Sequence, residues 1–192
     1  MRWNEVETHR ANLEELKVMN LNALMTPNSS STNLVKHEAL DIHVGIDDLI
    51  RELEALAGRF DPNVLRSVDD PNTIRSLISA MEGEQGLMIF AKLDHGFLFN
   101  LDGKKRKVFR YQIGNPLIAY SMTAHDIRAA LYAPLSILIY DVSEQVTRVE
   151  FDLPSTLFGK FHHSEVTNVG LDLDKKLVAL IASAAGKASK AF

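Results

Sequence analysis

The chain predicts an α+β fold, an antiparallel sheet with helices gathered on one face. Three observations carry this expectation. Leu40, Ile42 and Val44 alternate with Asp41 and His43, the period of a half-buried strand. Ile46, Leu49, Ile50, Leu53 and Leu56 then recur at helical spacing. Between residues 87 and 153 strand-like segments follow one another through short connections, and an amphipathic helix closes the chain.

Taken in order, residues 1–19 read as a Glu- and Leu-rich helix with a thin apolar stripe of Val6, Leu13 and Leu16. "TPNSSSTN", residues 26–33, is a polar linker with a breaker. The expected organisation is therefore an appendage over 1–33 and one domain over 34–192. The first strand runs through Leu34–Val44 and ends at Gly45. A helix follows from Ile46 to Ala57, with Asp47 and Asp48 in the first turn, where the dipole favours them, and Gly58 as its stop. Val64, Leu65 and Val68 suggest a short helix between the turns at Asp61-Pro62 and Asp69-Asp70-Pro71. Ile74, Leu77, Ile78 and Met81 mark a further helix from Pro71, where proline fits the first turn. "EGEQG" ends it.

"LMIFAKL" reads as a buried strand, and "HGFLFNL" as a second with weaker alternation. Asp102-Gly103 is a hairpin signal before "KVFRYQI". In that strand Val108, Arg110 and Gln112 fall on one face and Phe109, Tyr111 and Ile113 on the other. "PLSILIYDV" and "VTRVEFDL" are a hairpin across "SEQ". The last helix spans Asp172 to about Lys187, with Leu173, Leu177, Leu180, Ile181 and Ala184 on one face. The sheet is expected to hold four to five strands.

Composition narrows the function classes. With 46% hydrophobic residues the chain can bury one sizeable core. A net charge of −4 gives no long-range attraction for nucleic acid or anionic lipid, so neither is an expected partner. The absence of cysteine excludes disulfides, thiolate metal sites and Cys nucleophiles. The N-terminal stretch has acids throughout and no apolar core of a secretory signal. No apolar run approaches the roughly 20 residues of a membrane span. A soluble cytoplasmic protein is expected.

"GLMIFAKLDHG", "YQIGNP", "LYAPLSILIYD" and "VEFDLPSTLF", followed by an amphipathic helix, form an ordered series. It resembles the DUF302 family, a bacterial domain of unknown function, over roughly Leu34 to Ala185. The resemblance implies a curved antiparallel sheet with two main helices, a TATA-binding-protein-like arrangement of β-α-β4-α type, and a homodimer. It implies no reaction, cofactor or catalytic residue. The 1–33 extension and the helical piece from Asp61 to Met81 depart from a minimal member.

The candidate chemistry centres on Gly114-Asn115-Pro116 and the residues after it. Gly114 can adopt backbone angles other residues avoid, and Pro116 holds Asn115 extended. Such a pair can aim an amide into a cavity, with Met122, His125 and Tyr132 near it. His125 and Asp126 could supply a general base and a carboxylate. The competing account is a turn followed by a capped helix, "TAHDIRAAL", with Thr123 as N-cap and Asp126 closing a capping box. His95, in Asp94-His95-Gly96, is a second base candidate or part of a tight turn.

No metal site is expected. The histidines lack HExxH spacing, His162 and His163 are adjacent, and His37 and His43 are about 20 Å apart along a strand. Phosphate-loop, dinucleotide and G-x-S-x-G motifs are absent, so no cofactor is expected. Lys104–Lys107 is the basic run, and it reads as a solvated hairpin tip. Ser155 reads as a helix-start residue. Three functional readings follow: a module binding a small apolar or amphipathic ligand, an enzyme using His125 or His95 as general base in hydrolysis or isomerisation, and a dimeric scaffold.

Overall fold

A computed structural model describes residues 31–191. The helix expected over 1–19 and most of the linker over 26–33 lie outside the described residues. Among the described residues, six strands form one open sheet in the order β1-β6-β5-β4-β3-β2. These are β1 (His37–Ile42), β2 (Gly58–Arg59), β3 (Met88–Asp94), β4 (Val108–Gly114), β5 (Leu135–Ser143) and β6 (Val146–Asp152). The count exceeds the expected four to five. Gly58, expected as a helix stop, opens the two-residue β2, which pairs parallel with Met88 and Ile89 at the sheet edge. The other pairings are antiparallel.

The helices are α1 (Ile46–Leu56), α2 (Pro71–Ala80), α3 (Pro116–Thr123), α4 (Pro154–Gly159) and α5 (Ser164–Ala188). α1 buries Ile46, Leu49, Ile50 and Leu53, the stripe its sequence spacing marks. α2 starts at a proline and is capped by Asp70, whose side chain accepts from Thr73 N. α5 begins eight residues before the expected Asp172, at Ser164, because Val166 and Gly170 extend its buried stripe toward α4. Its buried Leu173, Leu177, Leu180, Ile181 and Ala184 are the face read from the sequence.

The core lies between one face of the sheet and the helices. Tyr111, Ile113, Leu135, Ile137, Ile139, Val149 and Phe151 point into it and meet α1 and α5. Directly paired residues share a face, so Leu93, Arg110, Leu138 and Glu150 line up across four strands on the other side. Burial separates these two sides sharply: Tyr111 is 0% exposed, and Leu93 is 39% exposed.

The segment "HGFLFNL" is not a strand. Asp94 Oδ1 accepts from Gly96 N at 2.7 Å, and Gly96 lies so close to the Arg106 carbonyl that a Cβ there would sit 2.3 Å from it. The chain therefore leaves the sheet at His95-Gly96 and winds through 3₁₀ turns over Gly96–Asp102. Gly103, at φ 74°, ends them in the left-handed region. No helix among the described residues is long and apolar enough to cross a membrane.

Candidate functional site

Asn115 begins the site. It is the N-cap of α3, and its Oδ1 accepts from Leu117 N at 2.8 Å. Its Nδ2 donates to Glu82 Oε1 and to Gly86 O, both at 2.7 Å. Pro116 occupies the first helical position, where its missing N–H costs nothing. The expected helix over "TAHDIRAAL" is thus displaced. The cap is Asn115 rather than Thr123, since Pro116 sets the start of the helix. Asp126 caps a later run of 3₁₀ turns, Ile127–Tyr132, by accepting from Arg128 N.

Gly114 plays a part other than the expected one. Its φ is not positive, so backbone freedom is not what it supplies. A Cβ on it would lie 3.3 Å from Pro134 Cβ and 3.7 Å from the Phe90 ring. Its missing side chain lets β4, the start of β5 and Phe90 draw close.

Beneath α3 these elements enclose an apolar cavity of about 210 Å³. Asn115, Pro116 and Met122 line it from α3 and its cap. Phe60 and Phe90 form one wall, their rings stacked at 4.5 Å between centroids. The register of β3 skips Phe90 at a bulge between Ile89 and Ala91. Phe158 of α4 and Leu173 of α5 close the far side. No titratable group lines the cavity, and the amide of Asn115 is already committed to internal partners. What this space does chemically is hold an apolar group by burial and dispersion. A polar groove of about 480 Å³ adjoins it, sharing Asn115 and Ile118 and carrying Glu82, Ser121, Asp172 and Lys176.

The remaining sequence candidates stand elsewhere. Tyr132 lies behind the wall, edge-on to Phe158 at 6.5 Å, and its hydroxyl accepts from Lys160 Nζ. His125 is exposed, with its ring 4.9 Å from that of His163. The hydrogen bond from the Arg128 guanidinium holds the Asp126 carboxyl down to about 2. That carboxylate is a cap and an ion-pair partner, not an acceptor for His125. His95 lines a different hollow, described below. The structure therefore brings together Asn115, Pro116 and Met122, with Tyr132 in the next layer, and leaves His125, Asp126 and His95 out of the cavity lining, although the backbone N–H groups of His125 and Asp126 donate to Met122 O.

Phe60, Phe90, Phe158 and Leu173 were not legible as site residues, because each reads locally as ordinary core. Three members of the basic run are matched by acids: Lys104 by Asp102, Arg106 by Asp141 and Lys107 by Asp47. Among the described residues no three His, Asp or Glu side chains cluster in a way that would hold a metal ion.

Comparison with known proteins fits this architecture. The family model described as "Domain of unknown function DUF302" matches residues 64–184, from the 3₁₀ turn before α2 to most of α5. The chain belongs to the DUF302 family. Among solved structures it is similar to an uncharacterized conserved DUF302 protein from Bacillus stearothermophilus, with a TM-score of 0.55 and 15% identity. That match covers 77% of this chain and 96% of the other, and it speaks for the fold alone. No curated protein matches the chain. Within the DUF302 match lie all the cavity residues named above except Phe60.

Proposed function

We propose that this DUF302 protein is a cytoplasmic, homodimeric module that binds a small ligand through an apolar, ring-sized group. The carrying observation is the cavity beneath α3. Its volume of about 210 Å³ exceeds the roughly 150 Å³ of an engineered apolar cavity that takes up benzene. Aromatic walls at Phe60, Phe90 and Phe158 suit a flat or branched apolar group. The adjoining polar groove gives an amphipathic ligand a place for its polar end.

The alternative of a histidine-based enzyme has less support. It calls for Asn115 and a histidine in one cavity, and neither His125 nor His95 lines this one. For the homodimer, support comes from exposed apolar side chains in the 3₁₀ turns after α3. Ile127 is 79% and Leu131 76% exposed, four residues apart.

Native mass spectrometry on freshly purified protein, without added ligand, tests both parts. The expected result is a dimer carrying extra mass that denaturation releases. A monomer overturns the dimer. A bare sequence mass that takes up no benzene on titration overturns the binding reading.

A further inference from the structure

A second hollow, of about 560 Å³, lies on the side of the sheet that α1 and α5 leave uncovered. The 3₁₀ segment Gly96–Asp102 folds Leu98, Phe99 and Leu101 over it. Val108 and Arg110 of β4 and Leu138 of β5 also line it. Its volume is in the range of small-molecule sites.

Arg110 is the unusual member. Across the sheet its direct neighbours are Leu93 on one side and Leu138 on the other, both apolar. Its Nε is buried and has no hydrogen-bond partner. Among the described residues no carboxylate pairs with its guanidinium. Four arginines are matched, Arg106 with Asp141, Arg148 with Asp41, Arg128 with Asp126 and Arg51 with Asp48; Arg59, Arg66 and Arg75 have no such pair among the described residues, but none of them lines this hollow. The carboxylate in the same hollow, Asp102, is taken by Lys104 at 2.7 Å. Arg106 lies over the Phe99 ring at 5.7 Å but is neutralised by Asp141. The hollow thus combines apolar walls with one uncompensated cation.

Arg110 is half-buried, but its Nε–H is buried, and a buried N–H donor without a partner is costly, so native structures seldom leave one unmatched. A guanidinium recognises a carboxylate through paired N–H donors. We propose that this hollow binds a small amphipathic carboxylic acid. The carboxylate pairs with Arg110, and the hydrocarbon part lies against Leu98, Phe99, Leu101, Val108 and Leu138. The site is independent of the cavity beneath α3, which contains no cation.

Calorimetric titration of the full chain with octanoate and with 1-octanol tests this. Octanoate is expected to bind at least about tenfold more tightly than the neutral alcohol, the size of effect a charge-assisted hydrogen bond gives. Arg110→Met keeps an unbranched apolar stem, though a shorter side chain, and removes an unpaired charge, so it is expected to fold and to lose the preference for octanoate. Arg110→Lys is expected to restore part of it. Because only the acid-over-alcohol preference is read, binding of either probe in the α3 cavity does not mimic the result. Equal affinities for the two probes overturn the proposal, as does a preference that survives Arg110→Met. Binding of the protein to phosphatidylglycerol vesicles with no uptake of octanoate also overturns it, and assigns Arg110 to lipid headgroups instead.

Discussion

Asn115 and Glu82 are joined by a hydrogen bond of 2.7 Å between Nδ2 and Oε1, which ties the start of α3 to the loop before β3. The same amide holds Gly86 O and, through Oδ1, Leu117 N. Asn115 is buried, so a side chain that fails these partners leaves the Gly86 carbonyl short of a donor and the helix uncapped. Asn115→Ala is expected to cost about 2–3 kcal/mol, roughly one for the cap and the rest for the lost partners. Urea denaturation measures it. A loss below about 0.5 kcal/mol would mean that solvent reaches these groups freely.

Gly58 and Gly83 make a second close joint. A Cβ on Gly58 would sit 1.9 Å from Met81 O, and one on Gly83 would sit 2.0 Å from Gly58 N. Both obstacles are backbone, so neither can swing aside. Gly58→Ala is expected to cost about 3 kcal/mol or more and to lower Tm by about 10 °C. Gly186, in the last turn of α5, has nothing near its missing Cβ. Gly186→Ala is expected to stabilise by about 0.5–1 kcal/mol, by favouring the helix over the unfolded chain. Thermal melts of the two variants should therefore move in opposite directions.

His37 sits between two carboxylates at the end of the sheet. Its Nδ1 is 2.9 Å from Asp152 Oδ1 and its Nε2 3.2 Å from Glu150 Oε2. The hydrogen bond to Asp152, and then that to Glu150, raises its pKa above the ordinary 6.5. A folded pKa above the unfolded one contributes stability that is full below about 6.5 and lost as pH rises through the folded value. The wild type should therefore be more stable than His37→Gln at about pH 5.5, with the advantage fading by about pH 9. Because the group is exposed, the advantage should also shrink in about 1 M salt. An advantage equal at both pH values would show that packing, not charge, is what the imidazole supplies.

The elements that the sequence made legible are those whose signal is periodic. α1, α5 and the two faces of β4 follow from the spacing of Leu49, Leu53, Leu177, Tyr111 and Ile113, because burial on one side imposes that spacing. Short, non-periodic pieces were less readable. Gly96–Asp102 is apolar enough for a strand, but Leu101 is 89% exposed, and a close contact with the Arg106 carbonyl decides its path. The candidate site was legible only at Asn115, Pro116 and Met122, which lie in one stretch of chain. Phe60, Phe90, Phe158 and Leu173 reach the cavity from four other parts of the chain, and only the folded topology brings them together. Arg110 was read correctly as to its face, but its lack of a partner is a property of the whole sheet.

Ala119 offers a direct test of the cavity itself. It lies on α3 and lines the space with Ile118 and Met122. Ala119→Leu adds three carbons, each worth about 0.8 kcal/mol when buried, against some strain for the new side chain. The variant is expected to keep or slightly raise its stability, since it fills a void rather than crowding a packed core. Benzene at saturating concentration should raise the Tm of the wild type, because a ligand that binds only the folded state stabilises it by mass action. In Ala119→Leu that rise should disappear. If the benzene shift were unchanged by the substitution, the ring would be binding elsewhere. If Ala119→Leu were destabilised by about 2 kcal/mol or more, the space beneath α3 would be too tight to admit three carbons, and therefore too tight for a ring.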